Sequence, residues 1–197
     1  MSRPAVIPSV EDMTTTTRRR RLRLPALALG GYAVIASFLF ATAASETMLL
    51  YPNVFRDIPA SLELTEEFMS AVAVGDVMRP LGAAVLVTAL VAAAVAVRYR
   101  IARKWLAASL TALVSGQFLL SVLYQWPRAT VLFDERGSHT LAEIERAAME
   151  FQVGQYLRLT AAGLSALFAI LAALECHRAR VLAAAASAKT TRPPSDG

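Results

Sequence analysis

The stretch LTAAGLSALFAILAAL, residues 159–174, decides how many times this chain can cross a membrane. Its 16 residues carry no charge, but they rise only about 24 Å as an α-helix, whereas the hydrocarbon core of a bilayer is about 30 Å thick. The segment therefore spans a bilayer only if Arg158 and the turn before it lie below the lipid surface. The sequence predicts a fourth span with an arginine drawn into the membrane.

Three earlier charge-free runs, of 22, 18 and 23 residues, are long enough or nearly long enough to span without help. Hydrophobic residues make up 56% of the chain, and the mean hydropathy is +0.48. These features predict an all-α integral membrane protein whose membrane domain, residues 24–182, is a four-transmembrane-helix bundle. The expected spans are residues 26–46, 79–98, 105–125 and 154–175, between disordered tails at residues 1–23 and 183–197.

The distribution of lysine and arginine predicts how the bundle is oriented. With four spans, the two tails and the 98–104 loop share one side and hold 14 of the 20 Lys and Arg residues, whereas the other side holds 11 of the 15 carboxylates. We therefore expect a multi-pass protein of the cell membrane with both termini cytoplasmic. The first span also resembles a signal peptide, but its apolar body is long for a cleaved one, so we expect it to be retained.

Composition argues against several other classes of protein. The single cysteine, Cys176, rules out an intramolecular disulfide and a Cys-rich zinc site. His139 and His177 are predicted to lie at opposite faces of the membrane, so no metal or haem is expected between them. The basic residues flank apolar runs, so the expected partner is the lipid bilayer and not nucleic acid. A transporter is disfavoured because the cytoplasmic halves of the spans are Ala, Val and Leu.

The two outer loops, about 46–78 and 128–154, contain helical patterns of their own. A short amphipathic helix is predicted from about residue 60 to 74, with Leu64, Phe68 and Val72 on its apolar face. The fourth helix is predicted to begin outside the membrane, with Ser138 or Thr140 as its N-cap.

Polar side chains inside lipid are costly, by about 2.5–3.5 kcal/mol for Arg or Asp at a helix centre, so they usually face the bundle interior. Here they concentrate in the outer half of the predicted bundle. Glu46 is the natural partner for Arg158, and Gln155 precedes Arg158 by three residues on one helix face. The alternatives are that Glu46 is interfacial, that Arg158 extends outward along its stem, and that Gln117 forms an interhelical hydrogen bond.

The stretch SETMLLYPNVFRDIPASL, residues 45–62, resembles a pattern in small four-span membrane proteins of the anthrone-oxygenase-like family. In that family the first helix ends in a glutamate, followed by a Pro-Asn-aromatic turn and a Pro-x-Ser-Leu segment. The element QYLR, residues 155–158, is similar to the Asn-Trp-x-Arg element of the family's last helix, with Gln and Tyr replacing Asn and Trp. The likeness covers residues 26–176. The matching positions in the first pattern are Glu46, Pro52, Asn53, Phe55, Pro59, Ser61 and Leu62.

The resemblance implies oxidation of an anthrone-like aromatic molecule in an outward-facing polar pocket. Glu46 would act as the base on a ring C–H, and Arg158 would stabilise the enolate-like oxygen. No cofactor or metal is expected for this reaction. The residues predicted to bind the substrate are Tyr51, Asn53, Gln117, Gln155 and Tyr156.

A non-enzymatic reading of the same residues stays open. The polar cluster would then be a structural salt bridge in a four-helix protein that binds lipid or stabilises a partner. The small-residue segments GGYAVIAS and AAGLSALFA, at residues 30–37 and 161–169, could also pack helices of two copies together in a homo-oligomer.

Overall fold

The structure, a computed structural model, describes residues 22–190 and contains helices but no strands within that range. Four of the helices are long and apolar enough to cross a membrane, as predicted. The helices are α1 (Arg23–Val54), α2 (Ala60–Phe68), α3 (Val74–Tyr99), α4 (Arg103–Asp134) and α5 (Leu141–Thr190).

The antiparallel bundle is organised around α5, which packs against both α1 and α4, while α3 packs mainly against α1. We call the end at which α1 leads into α2 and α4 turns into α5 the loop end. The predicted tails lie partly outside the described residues, at 1–21 and 191–197. Residues 183–190, predicted as tail, continue α5, because the alanine-rich stretch that begins there favours helix.

At the loop end, α1, α4 and α5 extend well beyond the predicted spans, so the outer loops are shorter than expected. Only residues 135–140 join α4 to α5, and Thr140 caps α5 with Glu143: the Glu143 carboxylate accepts from the Thr140 backbone N–H at 2.8 Å, and the Glu143 N–H donates to Thr140 Oγ1 at 3.4 Å. This confirms Thr140 as the N-cap. Besides the main hydrophobic core of the bundle, the extensions enclose a second hydrophobic cluster that includes Val54, Leu62 and Phe151.

The short helix α2 exists as predicted, but it ends at Phe68 and its predicted apolar face was wrong. Leu62 is the residue it buries, against the second hydrophobic cluster. Leu64 and Phe68 are 68% and 82% exposed, and Val72 lies beyond the helix. The chain leaving α1 presents the Leu62 side of α2 to the bundle, and an ion pair between Arg136 and Glu66 at 2.8 Å joins α2 to the turn before α5. Helical spacing alone could not show which side faces inward.

Small residues set the spacing of the packed helices. A Cβ atom at Gly116 of α4 would collide with the Cβ of Ala161 of α5, and neither atom can rotate away, since both are fixed by the backbone. A Cβ atom at Gly163 would lie 3.2 Å from Phe40. By contrast, a Cβ atom at Gly30 or Gly31 of the GGYAVIAS segment would have no neighbouring atom within 4 Å. Close packing within the chain therefore uses Gly116 and Gly163.

The Gly116–Ala161 contact can be tested by adding a methyl group at residue 116 and then removing the one at residue 161. We expect Gly116→Ala to lower the free energy of unfolding by about 1–3 kcal/mol, because α4 and α5 must separate to relieve the overlap. Adding Ala161→Gly to this variant should restore most of the loss. The measurement is thermal or denaturant unfolding in lipid or mild detergent. Gly82→Ala is the control, since a Cβ there meets nothing within 4 Å; equal losses at Gly116 and Gly82 would contradict the close approach.

Candidate functional site

A π-helical turn near the loop end of α1 positions Glu46. Across residues Glu46–Leu50 the backbone hydrogen bonds join residues five apart instead of four as in an α-helix. The Tyr51 N–H, for example, donates to the Glu46 carbonyl oxygen. Such turns shift every following side chain around the helix axis and are frequent at functional sites. Here the turn leaves Glu46 only 9% exposed although it is close to the helix end.

Glu46 lies on the wall of a groove of about 260 Å³ between α1 and α3. The groove exists because the first turns of α3 pack loosely: none of its first eleven residues is buried, and Leu81 is the first of them to pack against the core of the bundle. Glu46 is the one charged group in its lining. The other lining residues are Phe68, Met69, Val72, Ala73, Val74, Val77 and Met78.

The Glu46 carboxylate has no hydrogen bond or salt bridge in the part of the chain that the structure describes. The ion pairs found there are Arg128–Glu150 and Arg136–Glu66, both nearer the loop end, where His139 Nδ1 also lies 3.8 Å from Glu143. Arg158 is the nearest opposite charge that acts on Glu46 through space. The predicted Glu46–Arg158 partnership is therefore an interaction through space and not a direct contact, which leaves the carboxylate available to a ligand in the groove.

Arg158 instead belongs to a buried row of polar side chains between α4 and α5. Gln155 Oε1 accepts from Arg158 Nη1 at 2.9 Å and from Gln125 Nε2 at 3.1 Å, and Gln155 is only 1% exposed. Gly154 permits this approach, since a Cβ there would lie 2.6 Å from Gln125 Oε1. The amide of Gln117 donates to the backbone carbonyl of Arg158. The Gln117 amide thus holds the backbone of α5 at Arg158, and the Gln155 amide holds the Arg158 guanidinium.

A second, small cavity of about 20 Å³ lies between α1 and α5. Tyr51 forms part of its wall and packs in an aromatic cluster, with its ring centroid 5.7 Å from that of Phe55 and 5.2 Å from that of Phe151. Thr47 also lines the cavity, and its hydroxyl donates to the Ala43 carbonyl oxygen at 2.6 Å. The full lining is Thr47, Tyr51, Pro52, Gln152, Gln155 and Tyr156.

The structure thus divides the predicted site residues between two places. Glu46 lines the apolar groove, and Tyr51, Gln155 and Tyr156 line the small cavity on another side of α1. Gln117 and Arg158 line neither, and both form hydrogen bonds within the row. Asn53 is exposed and donates to the Leu49 carbonyl oxygen at 2.7 Å, away from both. A single pocket lined by Glu46, Gln117, Gln155 and Arg158 is not formed.

Sequence reasoning missed a buried polar cluster in the half of the bundle farther from the loop end, which was expected to be wholly apolar. The Tyr32 hydroxyl lies 2.7 Å from Ser109 Oγ and 3.2 Å from Ser165 Oγ, and Ser109 Oγ donates to the Ser165 carbonyl oxygen at 2.7 Å. The cluster joins α1, α4 and α5. One feature of the sequence could have indicated this cluster. Tyr32 is the ninth residue of its charge-free run, which is too deep for a tyrosine of the interfacial aromatic belt.

Across residues 22–190, the fold and these sites comprise helices without strands, four of them long and apolar enough to cross a membrane, a carboxylate in an apolar groove and a buried amide–guanidinium row. Comparison of the chain with protein-family models, curated proteins and solved structures gave no match. Functional inference therefore depends on the geometry of the groove and the row.

The interaction between Glu46 and Arg158 predicts energetic coupling despite their lack of direct contact. In a double-mutant cycle with Glu46→Gln and Arg158→Met, we expect a coupling energy of about 0.5–3 kcal/mol, because removing the guanidinium matters less once the carboxylate is neutral. Unfolding of the four proteins in lipid measures it. Pairing Arg158→Met with Glu63→Gln, an exposed carboxylate on α2, provides the matched control. Strictly additive losses in the Glu46 cycle would show that the two groups do not interact.

Proposed function

We propose that this chain is a multi-pass membrane protein that binds a flat lipophilic molecule in the Glu46 groove and removes an acidic C–H proton from it, so that dioxygen can oxidise the resulting carbanion. The observation that carries the proposal is a carboxylate with no hydrogen-bond or ion-pair partner among the described residues, set in an otherwise apolar groove. An apolar wall with one polar group is the usual composition of a small-molecule site.

The proposed setting is the cell membrane, with both termini cytoplasmic and the loop end outside. The Lys and Arg distribution supports this orientation, and four long apolar helices support the multi-pass arrangement. The groove then lies near the outer membrane surface, where a lipophilic substrate can enter sideways from the bilayer.

The proposed reaction is the conversion of an anthrone to an anthraquinone. Glu46 removes a proton from the ring CH₂ group, and the electron pair left on carbon forms a C–O bond with dioxygen, giving a peroxide. Loss of the second C–H proton and cleavage of the O–O bond yield the new carbonyl group and water. The sum is one anthrone and one O₂ consumed for one anthraquinone and one H₂O formed. The enolate reacts with dioxygen directly, so the protein supplies the base and the binding site.

The resemblance of residues 45–62 to the anthrone-oxygenase-like family supports this choice of substrate class. The geometry changes the role first assigned to Arg158. Since its guanidinium donates to Gln155 and does not line the groove, we propose that it acts on Glu46 through space and not on the substrate oxygen.

Oxygen uptake with an anthrone, by purified protein in lipid nanodiscs, tests the reaction. We expect Glu46→Gln to lower kcat by about 10²–10⁴-fold, the usual contribution of a general base. Glu63→Gln, the same chemical change on the exposed face of α2, should leave the rate unchanged. Val77→Trp, which fills the groove without altering the base, should weaken binding, seen as a raised KM. Equal rates for Glu46→Gln and the parent would remove Glu46 from the mechanism.

A second candidate function is a non-enzymatic protein that binds lipid or stabilises a partner. The observation that favours it is that the Gln117 amide and the Arg158 Nη1 group donate to α5 itself and line neither the groove nor the cavity. The same assays separate the two functions. A parent protein that binds the anthrone without consuming oxygen, or does neither, would support this second candidate.

A further inference from the structure

The orientation of the Gln155 amide is fixed by its neighbours. The guanidinium of Arg158 can only donate hydrogen bonds, so the atom of Gln155 that it contacts at 2.9 Å must be the oxygen. That oxygen also receives Gln125 Nε2. The amide nitrogen of Gln155 must therefore point the other way, and it is buried with no partner among the described residues.

Gln155 lines the small cavity between α1 and α5 and is 1% exposed. A buried N–H group without an acceptor is strongly disfavoured, and more so at the level of a bilayer. The cavity volume of about 20 Å³ suits one water molecule, which needs about 10–15 Å³. The polar side chains of Tyr51, Gln152 and Tyr156 also line the cavity and can supply further partners for a bound water.

We infer that this cavity binds a single water molecule, which accepts a hydrogen bond from Gln155 Nε2 and links the amide–guanidinium row of α4 and α5 to the Tyr51 turn of α1. Gln155 is then a positioning residue. The water holds its amide, and the amide holds the Arg158 guanidinium. The water belongs to the folded protein and does not depend on the groove accepting a substrate, so failure of the anthrone assay leaves this inference standing.

A structure of the protein in lipid nanodiscs, at a resolution that shows ordered waters, tests the site directly. The expected result is one isolated peak within hydrogen-bond distance of Gln155 Nε2. Elongated lipid density in the cavity, or a direct bond from Gln155 Nε2 to a protein group, would overturn the inference.

Two variants of Gln155 provide an independent test, because water can donate as well as accept. Gln155→Glu keeps an acceptor for Gln125 and Arg158 and offers the cavity an oxygen, to which the water can donate after turning. We expect Gln155→Glu to keep the water peak and a Tm within a few degrees of the parent, and Gln155→Leu to lose both. A Gln155→Glu protein as unstable as Gln155→Leu would show that the cavity holds an acceptor-only group.

Thr47→Val is the matched control for both measurements. Thr47 lines the same cavity, but its hydroxyl proton is donated to the Ala43 carbonyl oxygen, so it can only accept from the water and cannot serve the Gln155 donor. The water peak should persist in this variant. Loss of the peak there would mean that the Gln155 donor does not suffice to hold the molecule, and would contradict the inference.

Discussion

The carbonyl oxygen of the Gln155 side chain is the acceptor on which the loop end of the bundle depends. It receives one donor from α4 and one from the next turn of α5, and it does so where no bulk water competes. In lipid a guanidinium must find acceptors within the protein, and a side-chain amide is the compact group that can supply one while its other end remains a donor. The remaining polar features of this end follow from how the amide and the guanidinium are satisfied.

The same constraint explains why α5 is so long. A helix whose charge-free run is shorter than a membrane core can span it only by drawing in polar residues or by extending beyond the run. Arg158 enters the bundle, and the helix continues outward to Leu141, where Thr140 caps it. The outer turns then have apolar residues to bury, and they pack with the ends of α1 and α4 around Phe151. The ordered loop end is thus a consequence of a short apolar segment within a long helix.

Sequence reasoning predicted what depends on spacing along one helix and missed what depends on pairing between helices. The charge-free runs predicted four long helices, and three-residue spacing predicted that Gln155 and Arg158 lie side by side. The partnership of Gln125 with Gln155 was not predictable, because it requires the register of α4 against α5, which close contact at Gly154 sets.

The groove was not predictable for a related reason. Its position depends on where α3 diverges from α1. It also depends on the π-helical turn of α1 that begins at Glu46. Neither feature alters the hydrophobic pattern of the sequence, from which the helices were predicted. The buried Tyr32 cluster was hidden in the same way, since serines are ordinary in apolar helices and only three-dimensional packing brings these two to one tyrosine.

The turn of α1 that contains Glu46, Thr47 and Tyr51 serves two surfaces of different chemistry. Glu46 faces an apolar groove on the α3 side, whereas Thr47 and Tyr51 face the polar cavity on the α5 side. Arg158 lines neither surface, and its guanidinium donates instead to Gln155. If the groove binds the substrate proposed above, the carboxylate that lines it has no ion-pair partner among the described residues to compete with a ligand, while Gln155 on α5 holds the guanidinium that would otherwise pair with it.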